Sequence, residues 1–379
     1  MTDSSKTPSR ELRSLTAEEV ESTLAGWGHK SYRVTQLLGW LYKKRACSID
    51  DMSDLPQELR EQLARAFFIR PLELAKEQRS RDGTVKFLWR LADGELIESV
   101  LIPASVGRDG NRSDRHTICV SSQVGCAYGC KFCASGLMGY KRNLDASEIV
   151  DQVLAVERWH LAKGGEPTKP QGGFVNNIVM MGMGEPLANY DNLIRALEIF
   201  NSSWGLNIGA RKITVSTSGL APQIRRLAEM AQQYHLAISL HGATDEVRDK
   251  IMPINRKYPL EELISACEAY QQAKGRMIWV EYILIGGVNT GLDQVEALSG
   301  LAKRLQCKVN LIPYNPVDGI ELKRPSDETV DRFRDALHHK SVRVTVRIEK
   351  GTDIDAACGQ LRLKSEKKTA ATPMLGQAG

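Results

Sequence analysis

Short runs of β-branched residues alternate with amphipathic stretches of helical length through most of the chain, and this alternation restricts the fold more than any other feature. Strands that alternate with helices form a parallel sheet with the helices packed outside it. We predict strands at 117–121, 177–181, 212–217, 235–240, 278–284, 308–313 and 342–348. The predicted helices span 146–162, 190–202, 221–231, 259–274, 291–305 and 326–338. The pattern predicts an α/β fold built on a partial (β/α)6 barrel.

The residues before this barrel have a different character. Their apolar periodicity predicts helices at 17–26, 32–44 and 56–68, and a hairpin of strands at 83–89 and 95–102 around the Asp93-Gly94 turn. We therefore expect a small α+β accessory domain at 15–105, the barrel at 106–350 and a C-terminal extension at 351–363. The polar ends, 1–14 and 364–379, are expected to be disordered.

Composition narrows the class of protein. The 379 residues carry a formal net charge of +5, which permits a nucleic-acid partner without requiring one. The eight cysteines stand in a long chain whose start lacks the apolar segment of a secretory signal, so we expect reduced thiols and a cytoplasmic protein. No stretch approaches the roughly 20 apolar residues that span a bilayer, so we expect no membrane association.

Three cysteines follow the first predicted barrel strand in a C-x3-C-x2-C spacing: Cys126, Cys130 and Cys133. Three thiolates from one loop suit a [4Fe–4S] cluster, which normally has four cysteine ligands and here has one iron left for another ligand. Zinc is the alternative, but structural zinc sites have four protein ligands, often as paired C-x2-C units. We therefore predict an iron–sulfur cluster at this loop.

Small and polar residues end several of the following strands. Gly184 and Glu185 belong to a G-x-G-E sequence after the second strand, Ser216 ends the third, Ser239-Leu240-His241 ends the fourth and Asn315 follows the sixth. Each motif alone is equally typical of a turn or a strand-end cap. Because barrel enzymes gather their chemistry at the carboxyl ends of the strands, we predict that these residues surround one binding site.

Two further cysteines are expected near the same barrel mouth. Cys119 ends the first strand, and Cys358 lies in a short segment after the last strand. Two cysteines outside the cluster motif and beside one reaction site are hard to explain as packing.

These motifs together resemble those of a known family. The chain is similar to the RlmN/Cfr family of radical S-adenosylmethionine (SAM) RNA adenine methyltransferases over residues 15 to 363, and most of all to the members that methylate C2. The resemblance also rests on Asp82-Gly-Thr84, Ser121-Ser-Gln-Val-Gly-Cys126, Lys141-Arg-Asn-Leu144, Pro253-Ile-Asn255, Asn310-Leu-Ile-Pro313 and Ala357-Cys-Gly-Gln-Leu361.

The resemblance implies the cofactors. A single [4Fe–4S] cluster per chain would be bound by the three motif cysteines, and its free iron would bind SAM and cleave it to a 5′-deoxyadenosyl radical. Two SAM molecules would be consumed per methylation. The residues implied to contact SAM are Gly184, Glu185, Ser216, Ser239, Leu240, His241 and Asn315.

The resemblance also implies a covalent mechanism, because adenine C2 is not nucleophilic. Cys358 would take a methyl group from SAM, and the methyl carbon, after hydrogen abstraction, would add to the adenine and crosslink protein and RNA. Glu98 or Cys119 would accept a proton. Cys119 would then release the product by forming a disulfide bond with Cys358, for which the two Cα atoms must approach within about 4.4–6.8 Å.

The implied substrates are adenosine 2503 of 23S rRNA and adenosine 37 of tRNA. The accessory domain would bind RNA, with Lys43, Lys44 and Arg45 as candidate phosphate contacts. A flavodoxin or ferredoxin would supply electrons, and the enzyme is expected to be a monomer. Methylation at C8 by the same mechanism is one alternative, and a non-catalytic iron–sulfur protein that binds RNA is another.

Overall fold

The structure is a computed structural model that describes residues 10–104, 115–169, 172–357 and 359–361. Cys358 and the tail from 362 onward, including the predicted segment 364–379, therefore lie outside the described residues. Within the described residues, no helix is both long and apolar enough to cross a membrane.

The N-terminal part is a small helical unit. Thr16 begins its first helix with a capping box, in which the Thr16 side chain accepts from the Glu19 backbone and the Glu19 side chain accepts from that of Thr16. The predicted helices at 17–26 and 32–44 are confirmed, the second ending in a π-helical turn at Gly39–Lys43, whereas the predicted 56–68 helix ends at Ala66. The elements are β1 Arg10–Glu11, α1 Ala17–Gly26, α2 Tyr32–Leu38, α3 Gln57–Ala66 and β2 Phe67–Phe68.

Two buried ion pairs join this unit to the rest of the molecule. Arg13 contacts Asp151, and both side chains are 1% exposed. Arg45 lies 3.3 Å from Glu157 and is 8% exposed. Residues 10–14, which we expected to be disordered, are therefore ordered, because Arg13 pairs with a carboxylate of the core. Arg45 is a structural cation, so its predicted contact with RNA phosphate is wrong.

Three antiparallel strands follow: β3 Glu73–Arg79, β4 Val85–Arg90 and β5 Leu96–Pro103. The predicted hairpin corresponds to β4 and β5, and the turn has Gly94 at a φ of 84°. The sequence did not predict β3, whose side chains are mostly exposed and charged. β5 pairs with the first strand of the core, so these strands extend the core sheet.

The remaining elements include all the predicted barrel strands and helices, together with four short elements that were not predicted. The strands are β6 His116–Cys119, β7 Gln123–Gly125, β8 Tyr140–Asn143, β9 Asn177–Met180, β10 Ile213–Thr217, β11 His235–Ser239, β12 Trp279–Leu284, β13 Lys308–Pro313 and β14 Arg343–Val346. The helices are α4 Ala134–Leu137, α5 Ala146–Ala162, α6 Tyr190–Asn201, α7 Ala221–Glu229, α8 Asp245–Ile251, α9 Leu260–Lys274, α10 Leu292–Arg304 and α11 Asp327–His339. The four that were not predicted are β7, α4, β8 and α8. Short 3-10 turns lie at Leu12–Ser14, Pro186–Asn189, Ala210–Lys212, Pro253–Arg256 and Thr352–Ile354.

One ten-stranded sheet organises the molecule. Its strand order is β14-β13-β12-β11-β10-β9-β6-β5-β4-β3. Seven of these strands run parallel to one another: β6, β9, β10, β11, β12, β13 and β14. The inner parallel strands are mostly buried and apolar and are separated by helices, as expected for strands covered on both faces, whereas β14 at the edge of the sheet is partly exposed. The predicted partial α/β barrel is confirmed, and it brings the carboxyl ends of β6 and β9 to β13 to one edge.

Candidate active site

The three motif cysteines lie in the loop that leaves β7 at this edge. The loop folds back on itself, because the Cys126 N–H donates to Gly139 O at 3.0 Å and the Cys133 N–H donates to Cys130 O at 3.2 Å. Gly125, just before the loop, has a φ of 76°, and a Cβ added there would lie 1.8 Å from Gly139 O. Glycine at this position therefore permits the close return of the chain.

The thiols of Cys126, Cys130 and Cys133 line one cavity of about 920 Å³, counting the open space at its mouth. Burial raises the pKa of Cys126 to about 12, and Cys133 and Glu185 contribute to the rise. Burial also raises the pKa of Cys130, again with a contribution from the neighbouring cysteines. The three thiols are thus close enough to influence one another, and bound metal would displace their protons.

This donor set fits an iron–sulfur cluster better than zinc. Within the described residues, no three histidine, cysteine, aspartate or glutamate side chains are placed to hold a single metal ion. No fourth cysteine is among the described residues that line the cavity. A cluster held here by Cys126, Cys130 and Cys133 would keep one iron without a cysteine ligand.

The G-x-G-E loop forms the next wall. Glu185 is 4% exposed, and its Oε2 accepts hydrogen bonds from the Ser218 N–H at 2.7 Å and the Ser218 hydroxyl at 2.8 Å. Its own N–H donates to Gln123 Oε1 at 3.0 Å, which joins this loop to the cluster loop. Burial raises the pKa of Glu185, while the Ser218 hydrogen bonds oppose the rise. Gly184 and Glu185 both line the cluster cavity, and their contact with SAM stays a prediction.

The ends of β10 and β11 complete this cavity. Ser216 and Ser239 line it, and their hydroxyl oxygens lie 3.4 Å apart on neighbouring strands. Leu240 is buried and is not among the described residues that line the cavity. The predicted residues of these two strands are thus brought together, except for Leu240.

His241 presents a neutral imidazole to the cavity. Its Nδ1 accepts a hydrogen bond from the Ile283 N–H at 3.0 Å, which leaves the proton on Nε2. Burial and the charge of Arg248 lower the pKa of His241 to about 3. Its ring meets Phe132 of the cluster loop edge to face at 4.9 Å. His241 is therefore a fixed hydrogen-bond donor near neutral pH.

A buried arginine on α8 connects the strand-end loops. Arg248 Nη2 donates a hydrogen bond to Ser218 O at 3.0 Å. Its Nη1 donates to Ser239 O at 3.2 Å and also to Leu240 O. Its Nε donates to Asn255 Oδ1 at 2.8 Å. A guanidinium supplies several donors in one rigid plane, which a lysine does not. Arg248 therefore holds in place the two loops that carry Ser216 and His241.

A second cavity, of about 900 Å³ on the same measure, lies beside the first. Cys119 lines it, as do Ala357 and Leu361 on either side of Cys358, although Cys358 itself is outside the described residues. Asn315 also lines this cavity and is not among the described residues that line the cluster cavity, so its contact with SAM stays a prediction. Its side-chain amide lies 3.0 and 3.2 Å from the two carboxylate oxygens of Glu349. The residues shared by the two cavities are Met181, Ile312 and Arg347.

Glu98 is buried on β5 and does not face solvent. Its Oε1 lies 3.4 Å from Lys86 Nζ, which also donates to Asp355 O at 3.2 Å. Cys119 on β6 is paired with Val100, two residues beyond Glu98, so Glu98 and Cys119 share one face of the sheet. The predicted carboxylate and thiol are thus on the same side of adjacent strands.

The C-terminal segment is anchored at both sides of Cys358. The Gly351 N–H donates to Asp82 Oδ2 at 2.9 Å, which ties the start of the segment to the β3–β4 turn. The Ala134 N–H donates to Gly359 O at 2.8 Å, which ties its other side to the cluster loop. These contacts bring the neighbours of Cys358 between the two cavities.

The sequence reasoning missed three residues that position the site: Lys86, Ser218 and Arg248. Lys86 interrupts the apolar run 85–89, and a charge within a predicted strand of this kind is a signal of a buried ion pair. Ser218 directly follows β10, in the sequence Ser216-Thr-Ser-Gly219, of which only Ser216 was predicted to contribute to the site. Nothing local marks Arg248, because its partners come from other strands.

Comparison with known proteins agrees with this geometry. Residues 120–298 match the radical SAM superfamily, and residues 10–69 match the ribosomal RNA large subunit methyltransferase N-terminal domain. A probable dual-specificity RNA methyltransferase RlmN 3 of Opitutus terrae is 53% identical, with 93% of this chain and 95% of the relative covered. The dual-specificity RNA methyltransferase RlmN of Anaeromyxobacter dehalogenans is 48% identical, with 93% and 91% covered.

A solved structure is also similar over nearly the whole chain. The crystal structure of a radical SAM methyltransferase from Sphaerobacter thermophilus has a TM-score of 0.84 and 45% sequence identity. The match covers 93% of this chain and 99% of that one.

Proposed function

We propose a specific reaction for this chain, which belongs to the RlmN family of radical SAM RNA methyltransferases. The enzyme methylates C2 of adenosine 2503 in 23S rRNA and C2 of adenosine 37 in tRNA. The observation that carries the proposal is the pair of adjoining cavities. One contains the three motif cysteines, and the other contains Cys119 and the neighbours of Cys358.

The first cavity has the residues to hold the cofactors. Cys126, Cys130 and Cys133 would bind one [4Fe–4S] cluster per chain, and the site beside Gly184 and Glu185 would take SAM. Ser216, Ser239 and the His241 Nε2–H offer further polar contacts to SAM. When bound, the cluster and SAM supply the radical that abstracts hydrogen.

The second cavity has the residues for covalent catalysis. The Cys358 thiolate would attack the methyl carbon of a first SAM, which forms an S–CH3 bond on Cys358 and releases S-adenosylhomocysteine. A second SAM would supply the radical, so two SAM molecules would be consumed in each cycle. After the methyl carbon has bonded to adenine C2, the Cys119 thiolate would attack the Cys358 sulfur. That attack would form an S–S bond and break the bond between the Cys358 sulfur and the methylene carbon. The carbon would keep the bonding electron pair and take up a proton, which gives 2-methyladenine. Cys119 is 8% exposed, which protects it from unrelated oxidants.

Glu98 is proposed to accept the proton that leaves adenine C2. It lies on the face of β5 that carries Val100, a residue lining the second cavity, and it is fully buried. Lys86 balances its charge at 3.4 Å.

The remaining assignments follow from the family. We propose that residues 15–105 form the accessory unit that binds RNA. Residues 106–350 form the catalytic core, and residues 351–363 form the segment that carries the catalytic cysteine. We further propose that the enzyme acts as a monomer in the cytoplasm and takes electrons from a flavodoxin or ferredoxin.

Product analysis tests the proposal. The cluster-reconstituted protein is incubated anaerobically with SAM, a reductant and a 23S rRNA fragment that contains adenosine 2503, and the nucleosides are identified by mass spectrometry against standards. We expect 2-methyladenosine. Formation of 8-methyladenosine would assign the chain to C8 methylation, and formation of neither product nor 5′-deoxyadenosine would contradict the enzymatic proposal.

A further inference from the structure

A polar groove of about 780 Å³, counting the open space at its mouth, lies beside the cluster cavity and has no role in the mechanism above. Three half-buried tyrosines line it: Tyr128 from the cluster loop, Tyr190 at the start of α6 and Tyr258 before α9. Arg226 of α7 and Lys257 also line it, and both are exposed. We call this site the tyrosine groove.

The tyrosine groove opens at the same edge of the sheet as the reaction site. Its walls come from the cluster loop and from the segments that follow β9, β10 and β11. Tyr128 lines both the groove and the cluster cavity, so it separates the two. An extended ligand that enters the reaction site is therefore well placed to reach the groove.

The side chains of the groove suit a nucleotide. The guanidinium carbon of Arg226 lies 4.0 Å from the centroid of the Tyr190 ring, and Lys257 Nζ lies 5.3 Å from that of the Tyr258 ring. Bases in single-stranded RNA stack on tyrosine rings and on arginine planes, and cations bind the phosphates between them. The groove offers both kinds of contact.

A buried acceptor adds a polar feature. Gln223 Oε1 lines the groove and has no hydrogen-bond partner within the described residues. Leaving such an oxygen buried and unpaired costs free energy, which a hydrogen-bond donor on a ligand would recover. The exocyclic amino group of a nucleobase is a donor of this kind.

One acidic residue opposes this role only weakly. Asp191 lies 3.6 Å from Arg226, but its side chain is 91% exposed and that of Arg226 is 54% exposed. Exposed ion pairs of this kind contribute little stability, so a phosphate is able to displace the aspartate.

We propose that the tyrosine groove binds a nucleotide of the substrate RNA that neighbours the target adenosine. The inference rests on the proposed function, because it requires RNA to occupy the barrel mouth. A target base must leave its stack to reach a buried site, and its neighbours in the strand then need other partners. Tyr190, Arg226 and Gln223 would supply them.

RNA-binding measurements test the groove. Tyr190→Leu keeps apolar volume but removes the ring, and Arg226→Gln removes an exposed charge. Arg304→Gln on α10 is the matched control, because Arg304 is exposed and pairs with Glu261 and Glu268 outside the groove. The dissociation constant of an RNA hairpin with the target adenosine is measured by fluorescence anisotropy for the cluster-loaded protein. Methylation of Cys358 by SAM without RNA is measured in parallel.

We expect Tyr190→Leu to weaken RNA binding by about five- to 100-fold, the usual effect of losing one stacking partner. Arg226→Gln should weaken binding and lower the slope of log K against log salt concentration by about 0.7, as for one phosphate contact. Cys358 methylation should remain unchanged in both variants, and Arg304→Gln should bind RNA like the parent.

Binding within twofold of the parent for both groove variants would overturn the inference while leaving the proposed function intact. Failure of the parent protein to bind RNA would instead contradict the proposed function and the inference with it. If Tyr190→Leu loses Cys358 methylation, the substitution has disturbed the fold, and the RNA affinity of Arg226→Gln alone tests the inference. The Arg226 side chain is exposed and is not needed for folding.

Discussion

Lys86 Nζ lies 3.4 Å from Glu98 Oε1, and both side chains are buried on adjacent strands, where Lys86 also donates to the carbonyl of Asp355. One lysine thus joins the proposed proton acceptor to the segment that carries Cys358. Each partner prevents the other from being a lone buried charge.

Replacing Lys86 with methionine should destabilise the protein. Removing one member of a buried ion pair costs about 3–5 kcal/mol, because the other charge remains unpaired. We expect the free energy of unfolding, measured in urea, to fall by about this amount. Lys86→Met combined with Glu98→Gln should recover part of the loss. A single variant within about 0.5 kcal/mol of the parent would show that the pair does not matter for stability.

Replacing Arg248 should weaken SAM binding. Arg248→Lys keeps the charge but loses the planar set of donors that connects Ser218, Ser239 and Leu240. We expect the dissociation constant for SAM, measured by calorimetry on the cluster-loaded protein, to rise about tenfold or more, since a hydrogen bond from a charged group contributes about 1.5–3 kcal/mol. Arg225→Lys is the control, because Arg225 is exposed and donates to Ser265. An unchanged constant for Arg248→Lys would contradict the positioning role.

Adding a methyl group at Gly125 should impair cluster assembly. The new Cβ would lie 1.8 Å from Gly139 O at a φ of 76°, so the loop must move. We expect Gly125→Ala to retain less than about half of the parental iron after reconstitution, as measured by iron and sulfide analysis, in line with the steric cost of a side chain in this region. Gly300→Ala on α10 meets no atom within 4 Å and should retain normal iron. Full iron content in Gly125→Ala would contradict the loop geometry.

His241 should make stability depend on pH. Its folded-state pKa of about 3 is below the ordinary value, so the unfolded chain binds the proton more tightly. The stabilisation is therefore complete above about pH 6.5 and is lost as the pH falls towards 3. Between pH 7 and pH 5 we expect His241 to account for about 2 kcal/mol of lost unfolding free energy. In cluster-free protein, His241→Gln should lose less stability over this range, and an equal loss would refute the assignment.

Much of the fold was predictable because it repeats locally. The buried strands are apolar runs flanked by amphipathic helices, so the predicted strand at 308–313 agrees with β13, and the others differ by a few residues at their ends. β3 escaped prediction because its sequence is charged and its side chains are mostly exposed. It is a strand because β4 pairs with it, which no local pattern encodes.

The residues of the site were predictable where a sequence motif lies at the end of a predicted strand. Glu185, Ser216 and His241 reach the cluster cavity because parallel strands finish at one edge. Asn315, which follows β13, lines the adjoining cavity together with Cys119 of β6. Arg45 looked like a surface cation, but Glu157 on a distant helix buries it. These contacts depend on pairs far apart in sequence.

The Cys119→Ala variant tests the central claim most directly. Cluster-loaded variant is incubated with SAM, reductant and a 23S rRNA fragment containing adenosine 2503, and the products are separated on a denaturing gel and identified by mass spectrometry. If Cys119 resolves a covalent link made through Cys358, the variant should accumulate a protein–RNA adduct that Cys358→Ala does not form. Release of free methyladenosine in normal yield from Cys119→Ala, without an adduct, would contradict the two-cysteine mechanism.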